Sequence, residues 1–342
     1  MILETRDVTK VFRTAKGRAL LANDGVSLSV RRGETLGIAG ESGCGKSTFI
    51  KMVTMLDRPT SGQVLFRGED VSGLKGEKLR KARRHVQMVF QDPGEAFSPR
   101  MKIKNVLCEP LLNFGMITRS QVRQKAEELL RMVELPSEFA ERYARDMSGG
   151  QRQRVGIARA IALEPDLLVC DEVTSALDVS VQKRIVDLLL RLQREKDITM
   201  IFICHDIALV RAFAHRTAIM YLGNVVEIVP GKQLGTGLCH PYTKALREAL
   251  FDLNMDFTKP IESIDSEAPS PLDLPEGCPF QDRCASCMEI CREEKPRLRL
   301  LEPDHEIACH LYADMPGCAE EAGARDPSPE PPATGGRHDP AE

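Results

Sequence analysis

The stretch ETLGIAGESGCGKSTFIKMV, residues 34–53, decides the fold. An apolar segment runs into a glycine-rich loop, and apolar residues at helical spacing follow the loop. The loop GESGCGKST, residues 40–48, fits the pattern Gly-x-x-x-x-Gly-Lys-[Ser/Thr] through Gly40, Gly45, Lys46 and Ser47. Between a strand and a helix, this pattern is typical of a loop that binds nucleotide phosphates.

Each residue type in this loop has a chemical reason. Glycines let the backbone curl so that its N–H groups face phosphate oxygens, and the following helix adds the positive end of its dipole. Lys46 is expected to bridge the β- and γ-phosphates, and the Ser47 hydroxyl to bind Mg²⁺. The residues predicted to contact the nucleotide are Gly40, Glu41, Ser42, Gly43, Cys44, Gly45, Lys46, Ser47 and Thr48.

A second segment, LLVCDE at residues 167–172, is an apolar strand that ends in two acids. Asp171 is predicted to hold Mg²⁺ through its water shell. Glu172 is predicted to act as the general base, or to orient and polarise the attacking water. Together with the loop at 40–48, these acids predict an ATPase or GTPase.

The composition bounds the class of protein. Of 342 residues, 42% are hydrophobic and 28% charged, which fits a soluble globular chain with one or two domains. The net charge of −3, the 5% aromatic content and the absence of Trp argue against a nucleic-acid partner. No run approaches the roughly 18 apolar residues of a membrane span, and the charged start MILETRDVTK does not fit a signal peptide. The sequence therefore predicts a cytoplasmic protein whose membrane role depends on partners.

Strand-like and helix-like segments alternate along the chain, which predicts an α/β fold with a parallel sheet. The strand signals lie at 27–30, 34–40, 86–90, 166–170, 198–204 and 217–229, and helical spacing dominates 100–146. The predicted organisation is a nucleotide-binding domain (1–250) with a helical subdomain (about 92–155), a linker (251–277), a cysteine-rich module (278–318) and a disordered tail (319–342).

The motif MSGGQRQR, residues 147–154, resembles the signature motif of the ABC (ATP-binding cassette) family. It stands about twenty residues before Asp171, as the family requires, and the resemblance covers about residues 1–250. The family's fold is a P-loop NTPase with a RecA-like parallel-sheet core and a helical signature subdomain. The resemblance implies that two cassettes sandwich two ATP molecules. The signature residues that would face the γ-phosphate of the other subunit's ATP are Ser148, Gly149, Gly150 and Gln151.

Four further positions match the family one at a time. Gln91 resembles the residue that senses Mg²⁺ and contacts the membrane partner, and His205 the switch histidine that reaches the γ-phosphate. SALD, residues 175–178, resembles the loop across the dimer interface, which includes Asp178. Phe12 occupies the place of the aromatic that stacks on adenine. The alternatives are a solvated loop glutamine, a structural histidine and a core phenylalanine.

Two positions depart from the family pattern. Met147 stands where the family usually has Leu, and Val173 where Pro usually follows the catalytic Glu. Met for Leu nearly conserves volume, and the loss of Pro is expected to loosen a turn. Neither change removes a catalytic group, so ATPase activity is expected to survive.

A single cassette without a membrane span or a long coiled coil fits the ATPase of an importer. QMVFQDPGEAFSPRM, LVCDEVTSALDVSVQ and HPYTKAL resemble ATPase subunits of oligopeptide/dipeptide importers, most closely the F-type subunit, although Phe97-Ser98 departs from its usual Leu-Asn. The resemblance implies a second ATPase as dimer partner, identical or not. It also implies two permeases, an indirect link to a solute-binding protein, and a place at the cytoplasmic face of the inner membrane. The alternatives are import of a non-peptide solute such as a nickel chelate or glutathione, and an ATPase accessory of a soluble phosphonate-cleaving complex.

Six of the eleven cysteines lie between 278 and 318, which favours a metal over disulfides in a reducing compartment. Spacing alone points to Cys284-x2-Cys287, leaves zinc and iron–sulfur both open, and adds His305 and His310 as possible ligands. GCPF-x2-RC and HEIACH resemble the C-terminal extension of oligopeptide-importer ATPases. That resemblance implies a [4Fe–4S] cluster, with zinc as the alternative, and leaves out Cys287 and Cys318. The implied ligands are Cys278, Cys284, Cys291 and Cys309.

Overall fold

The computed structural model describes residues 1–14, 17–94, 97–175, 177–204, 206–234, 237, 239–248, 269–270, 272 and 274–313. The predicted switch residue His205, Cys318, most of the predicted linker and the predicted tail lie outside the described residues. The strands are β1 Leu3–Arg13, β2 Ala19–Val30, β3 Thr35–Ala39, β4 Ser61–Phe66, β5 Glu69–Asp70, β6 Val86–Val89, β7 Leu167–Asp171, β8 Thr199–Ile203, β9 Arg216–Tyr221, β10 Asn224–Pro230, β11 Arg299–Glu302 and β12 His305–Ile307. The α-helices are α1 Lys46–Val53, α2 Gly76–His85, α3 Ile103–Asn113, α4 Val122–Met132, α5 Gly149–Ile161, α6 Val179–Lys196, α7 Ile207–Arg211, α8 Pro241–Glu248 and α9 Ile290–Glu293.

The larger sheet has eight strands in the order β11-β12-β10-β9-β3-β8-β7-β6. The strands β9, β3, β8, β7 and β6 are parallel, which confirms the predicted α/β architecture. β3 and β8 are buried along their whole length, as expected for central strands covered on both faces. All five parallel strands therefore end at one edge of the sheet, where ligands bind in such folds.

A second, antiparallel sheet has the order β2-β1-β4-β5 and was not predicted as a separate layer. The alternation of apolar residues in β1 is interrupted by register shifts, and Asp7 has a left-handed φ of 48°. These irregularities hide the period of two that marks a strand in sequence. Buried side chains of β1, β2 and β4 pack with α1 in one core cluster.

A buried ion pair joins the two sheets. Arg216, at the start of β9, donates to both carboxylate oxygens of Glu34 at 2.6 and 3.1 Å, and to the carbonyl oxygen of Ser29 in β2 at 2.8 Å. The side chains of Arg216 and Glu34 are only 4% and 5% exposed. The pair fixes the antiparallel layer against the start of β3, and so against the strand that leads into the glycine-rich loop.

The segment between β6 and β7 is helical, as its apolar spacing predicted. α3 buries Ile103, Val106, Leu107 and Leu111, and α4 buries Val122, Ala126, Leu129 and Leu130. Both stripes pack into one core with α5, the helix that begins within the signature motif. No helix of the described residues is long and apolar enough to cross a bilayer.

Two segments differ from the sequence prediction. The strand-like run 217–229 forms two strands, because Leu222 and Gly223 adopt left-handed φ angles of 42° and 78° and reverse the chain. The helix-like run 206–215 is helical only over α7, whose last turn is followed by bends before β9.

The cysteine-rich segment is attached to the larger sheet. β12 pairs with β10 through Glu227 and Ile307, and β11 pairs with β12. Phe280 is 2% exposed and packs edge-on against Tyr221 at a centroid distance of 5.2 Å. These long-range contacts could not be deduced from local patterns.

Candidate nucleotide site

The glycine-rich loop lies between β3 and α1, at the carboxyl edge of the parallel strands. Gly40 and Gly45 have φ angles of 150° and 102°. A Cβ on Gly40 would stand 2.2 Å from the carbonyl oxygen of Met220, and one on Gly45 would stand 2.3 Å from that of Ala22. Glycine is therefore required at both positions by the backbone angles and by close neighbours.

Lys46 is held against the loop. Its side chain is buried, and Nζ donates to the carbonyl oxygens of Gly40 at 2.7 Å and Glu41 at 2.8 Å. The Sγ atom of Cys44 lies 3.6 Å from the same nitrogen. A positive charge therefore stands at the loop that is predicted to receive the phosphates.

The two acids of LLVCDE lie at the same edge. Ile203 of β8 pairs with Asp171 of β7 on one side and with Ile38 of β3 on the other. Asp171 therefore lies two strands away from Ile38, which stands just before Ala39 and the glycine-rich loop. Glu172 adopts a left-handed φ of 47°, and its N–H donates to the carbonyl oxygen of Ile203 at 3.1 Å. This turn carries Glu172 off the end of the strand.

Gln91 follows β6 and lies against the turn after Glu172. Its Nε2 donates to Ser175 Oγ at 3.2 Å, and Ser175 Oγ donates to the carbonyl oxygen of Glu172 at 2.9 Å. The structure therefore places Ser175 between two predicted site residues. The sequence predicts Ser175 only as part of the interface loop, because nothing in its spacing indicates a partner 84 residues away.

The signature motif opens α5. Ser148 caps the helix by accepting from the Gln151 N–H at 3.4 Å, and Gln151 Oε1 accepts from the Ser148 N–H at 2.9 Å. The motif lines an open cleft of about 800 Å³ together with Asp178, Arg154 and Glu134. Residues 40–48 do not line this cleft. One chain therefore presents the glycine-rich loop and the signature on separate surfaces.

The predicted adenine-stacking residue lies in β1. Phe12 is 41% exposed, and Lys10 Nζ stands 5.1 Å above the centre of its ring. This exposure contradicts the alternative of a core phenylalanine. Two positions depart from the usual family pattern, Met147 and Val173. Their side chains are buried and pack in the core.

The cysteines form a separate candidate site. Cys278, Cys284, Cys291 and Cys309 border one small cavity, whereas Cys287 does not. Burial, with the neighbouring thiols, raises the pKa of Cys278 and that of Cys309 to about 11. Among the described residues, no three of these four Sγ atoms lie within 4.8 Å of one another.

A second polar cluster lies between β10 and β12. The Glu227 carboxylate is fully buried and accepts from the N–H groups of Cys239 at 2.8 Å and His240 at 3.3 Å, and it lies 2.8 Å from His305 Nε2. These contacts occupy the carboxylate, so the cluster serves as a structural connection. His305 does not border the four-cysteine cavity; His310 does.

Two neighbours of the glycine-rich loop, Tyr242 and Arg283, were not predicted from the sequence. The Tyr242 hydroxyl accepts from the Glu41 N–H at 3.0 Å, and Arg283 pairs with the Glu41 carboxylate. Both residues lie in motifs that resemble oligopeptide-importer ATPases, HPYTKAL and GCPF-x2-RC. Their place in these motifs is the one feature of the sequence that could have indicated them.

Comparison with known proteins places these features in a family. The family described as "ABC transporter" matches residues 23–175, and the family described as "Oligopeptide/dipeptide transporter, C-terminal region" matches residues 226–291. The oligopeptide transport ATP-binding protein AppF of Bacillus subtilis is 44% identical over 91% of this chain and 98% of its own length. The di/tripeptide transport ATP-binding protein DppF of Pseudomonas aeruginosa is 42% identical over 90% of this chain and 97% of its own length.

A solved structure is also similar. The dimeric, post-hydrolysis structure of the ATP-binding cassette MJ0796 with ADP and Pi superposes with a TM-score of 0.62 at 32% identity. It covers 67% of this chain and 99% of the cassette. The match leaves part of this chain uncovered.

Proposed function

Because this chain belongs to the oligopeptide/dipeptide transport family of ABC ATP-binding proteins, we propose roles for its residues in an ATP-driven importer. The chain is an ABC-type ATPase that works as a dimeric cassette. The observation that carries the assignment of roles is the convergence of residues 40–48, Asp171, Glu172 and Gln91 on one edge of the parallel sheet.

ATP occupies the glycine-rich loop in this proposal. The loop N–H groups and Lys46 neutralise the β- and γ-phosphates. Ser47, Gln91 and the water shell held by Asp171 position Mg²⁺, and Phe12 stacks on adenine. Glu172 takes a proton from, or orients, the water that attacks the γ-phosphorus atom, and ADP leaves as phosphate forms. His205 is proposed from the family motif to contact the γ-phosphate.

The site is completed by a second cassette. The signature of one chain lines a cleft that its own glycine-rich loop does not border, so Ser148–Gln151 are available to the ATP of another subunit. The N–H groups at the start of α5 form an anion site, and Asp178 borders the same cleft. We propose that closure of this dimer drives two permeases, with the helical region about 92–155 contacting them at the cytoplasmic face of the membrane.

Association of the cassettes tests this proposal. In a Glu172→Gln background, Mg-ATP is expected to shift the chain, alone or mixed with a sister cassette, from monomer to dimer in sedimentation velocity. Adding Gly149→Glu should raise the protein concentration at which half of the chain is dimeric by at least about tenfold, because a carboxylate would face the γ-phosphate. The nearest neighbour of an added Cβ at Gly149 is 3.8 Å away, and an acid at a helix start does not harm the helix.

The matched control is Gly149→Ala, which adds a methyl group without charge and should preserve ATP-dependent association. A Gly149→Glu variant that dimerises like its parent would remove the signature from the nucleotide interface.

The cysteine-rich segment fits a thiolate-bound group. Cys278, Cys284, Cys291 and Cys309 border one small cavity, which is the observation that supports a group shared by the four thiolates. We propose that Cys278, Cys284, Cys291 and Cys309 hold a [4Fe–4S] cluster, with residues 278–318 as a module after a linker and 319–342 as a tail. When bound, the cluster links four distant points of a segment with little core of its own.

The iron content of single-cysteine variants tests which cysteines bind the cluster. Anaerobically purified protein is expected to be brown, with broad absorbance near about 400 nm and about four iron atoms per chain. Cys309→Ser should lose most of the iron and lower the unfolding temperature of the C-terminal segment. Cys287→Ser is the matched control, since Cys287 does not border the cavity, and it should retain the iron. A colourless protein with one zinc per chain, or loss of iron in Cys287→Ser, would contradict this ligand set.

A further inference from the structure

Glu41, the second residue of the glycine-rich loop, is held at three points. Its carbonyl oxygen accepts from Lys46 Nζ at 2.8 Å, and its N–H donates to the Tyr242 hydroxyl at 3.0 Å. Its carboxylate oxygens accept from Arg283 Nη1 at 2.9 Å and Nη2 at 3.1 Å. Two of the three contacts come from residues beyond the cassette's last parallel strand, β9.

The Arg283 guanidinium is buried and makes a further hydrogen bond besides those to Glu41. Its side chain is 5% exposed, and Nη1 also donates to the Tyr221 hydroxyl at 3.3 Å. Phe280 lies three residues earlier in the same turn and packs against the rings of Tyr221 and Tyr242. Cys284, one of the cysteines around the shared cavity, directly follows Arg283.

Charge makes this contact relevant to nucleotide binding. An unpaired carboxylate on the residue after Gly40 would repel the phosphates, whereas a bidentate pair with Arg283 neutralises it. The Glu41 side chain is 27% exposed, so solvent screens the charge only partly.

We propose that Arg283 is a positioning residue for the glycine-rich loop, and that through it the cysteine-rich segment is coupled to ATP binding. The proposal rests on the proposed function of residues 40–48. It gives the C-terminal segment a part in setting nucleotide affinity, because any change that moves Arg283 exposes the Glu41 charge to the phosphates. The coupling is reciprocal, so bound ATP stabilises the turn at 280–284 by the same factor.

The test is a double-mutant cycle of Glu41 and Arg283 in the full chain. Equilibrium binding of Mg-ATP in the Glu172→Gln background measures the affinity of each variant. Arg283→Met is expected to weaken binding about tenfold. Glu41→Gln/Arg283→Met should recover most of that loss, because no charge is left to repel the phosphates. Glu41→Gln alone, which does not depend on the stability of Arg283→Met, should bind ATP more tightly than its parent, because the Arg283 charge then faces the phosphates without a carboxylate beside it.

Hydrogen exchange supplies a second readout. ATP should slow exchange of the amides at 280–284 in the parent and not in Arg283→Met. Asp304→Asn is the matched control: it removes another ion pair between the C-terminal segment and the cassette, to Arg31 near the opposite end of β3, and should leave ATP affinity unchanged.

Three results would overturn the proposal: parental affinity in Arg283→Met, a double variant as weak as Arg283→Met, or a Glu41→Gln variant that binds ATP no more tightly than the parent. Absence of ATP binding by the parent protein would instead overturn the proposed function.

Discussion

Glu172→Gln is expected to lower ATP turnover by at least about a hundredfold while ATP affinity stays within about twofold. Glutamine keeps the size of the side chain and removes the base that accepts the proton of the attacking water. The left-handed turn at Glu172, held by the hydrogen bond to Ile203, places this side chain beyond the end of β7. Steady-state phosphate release and equilibrium ATP binding separate the two effects.

Glu195→Gln, on the exposed face of α6, is the matched control and should retain parental turnover. Equal turnover of Glu172→Gln and the parent protein would remove Glu172 from the catalytic role. Turnover lost together with affinity would indicate a role in binding.

The second large effect concerns stability. Arg216→Met is expected to lower the free energy of unfolding by about 3–5 kcal/mol, because it leaves the Glu34 carboxylate buried without its partner. Arg216 also connects the two sheets, because it donates to the carbonyl oxygen of Ser29 in β2. Denaturant unfolding, followed by far-UV circular dichroism, measures the change.

The double variant Glu34→Gln/Arg216→Met should recover at least half of that loss, since no unpaired charge remains. Arg123→Met removes an exposed pair with Glu127 on α4 and should cost less than about 0.5 kcal/mol. A loss as small in Arg216→Met as in Arg123→Met would show that the buried pair does not hold the two layers together.

The features that local sequence revealed are those with local physical causes. The strand, loop and helix of residues 34–53 could be predicted because glycine spacing and the period of apolar residues are both short-range signals. The helices of the 100–146 region followed from apolar residues three and four apart. Asp171 and Glu172 were placed by the end of an apolar strand.

What remained hidden depends on contacts between distant residues. The irregular β1 concealed the antiparallel sheet, and no local pattern indicates that β12 extends the larger sheet through Ile307. The Arg283–Glu41 pair spans 242 positions and joins two motifs that no local pattern connects. Only the folded chain shows that the C-terminal segment touches the phosphate-binding loop.

Peptide uptake tests the central claim most directly. The chain would be reconstituted in proteoliposomes with the permeases, solute-binding protein and sister cassette of an oligopeptide/dipeptide transporter, with ATP supplied on the cassette side and a mixture of labelled di- and oligopeptides on the other. We predict uptake that requires ATP and stops when Glu172→Gln replaces the parent chain. Uptake that continues without ATP or with Glu172→Gln, or a chain that purifies with a soluble phosphonate-cleaving complex and supports no uptake, would contradict the account.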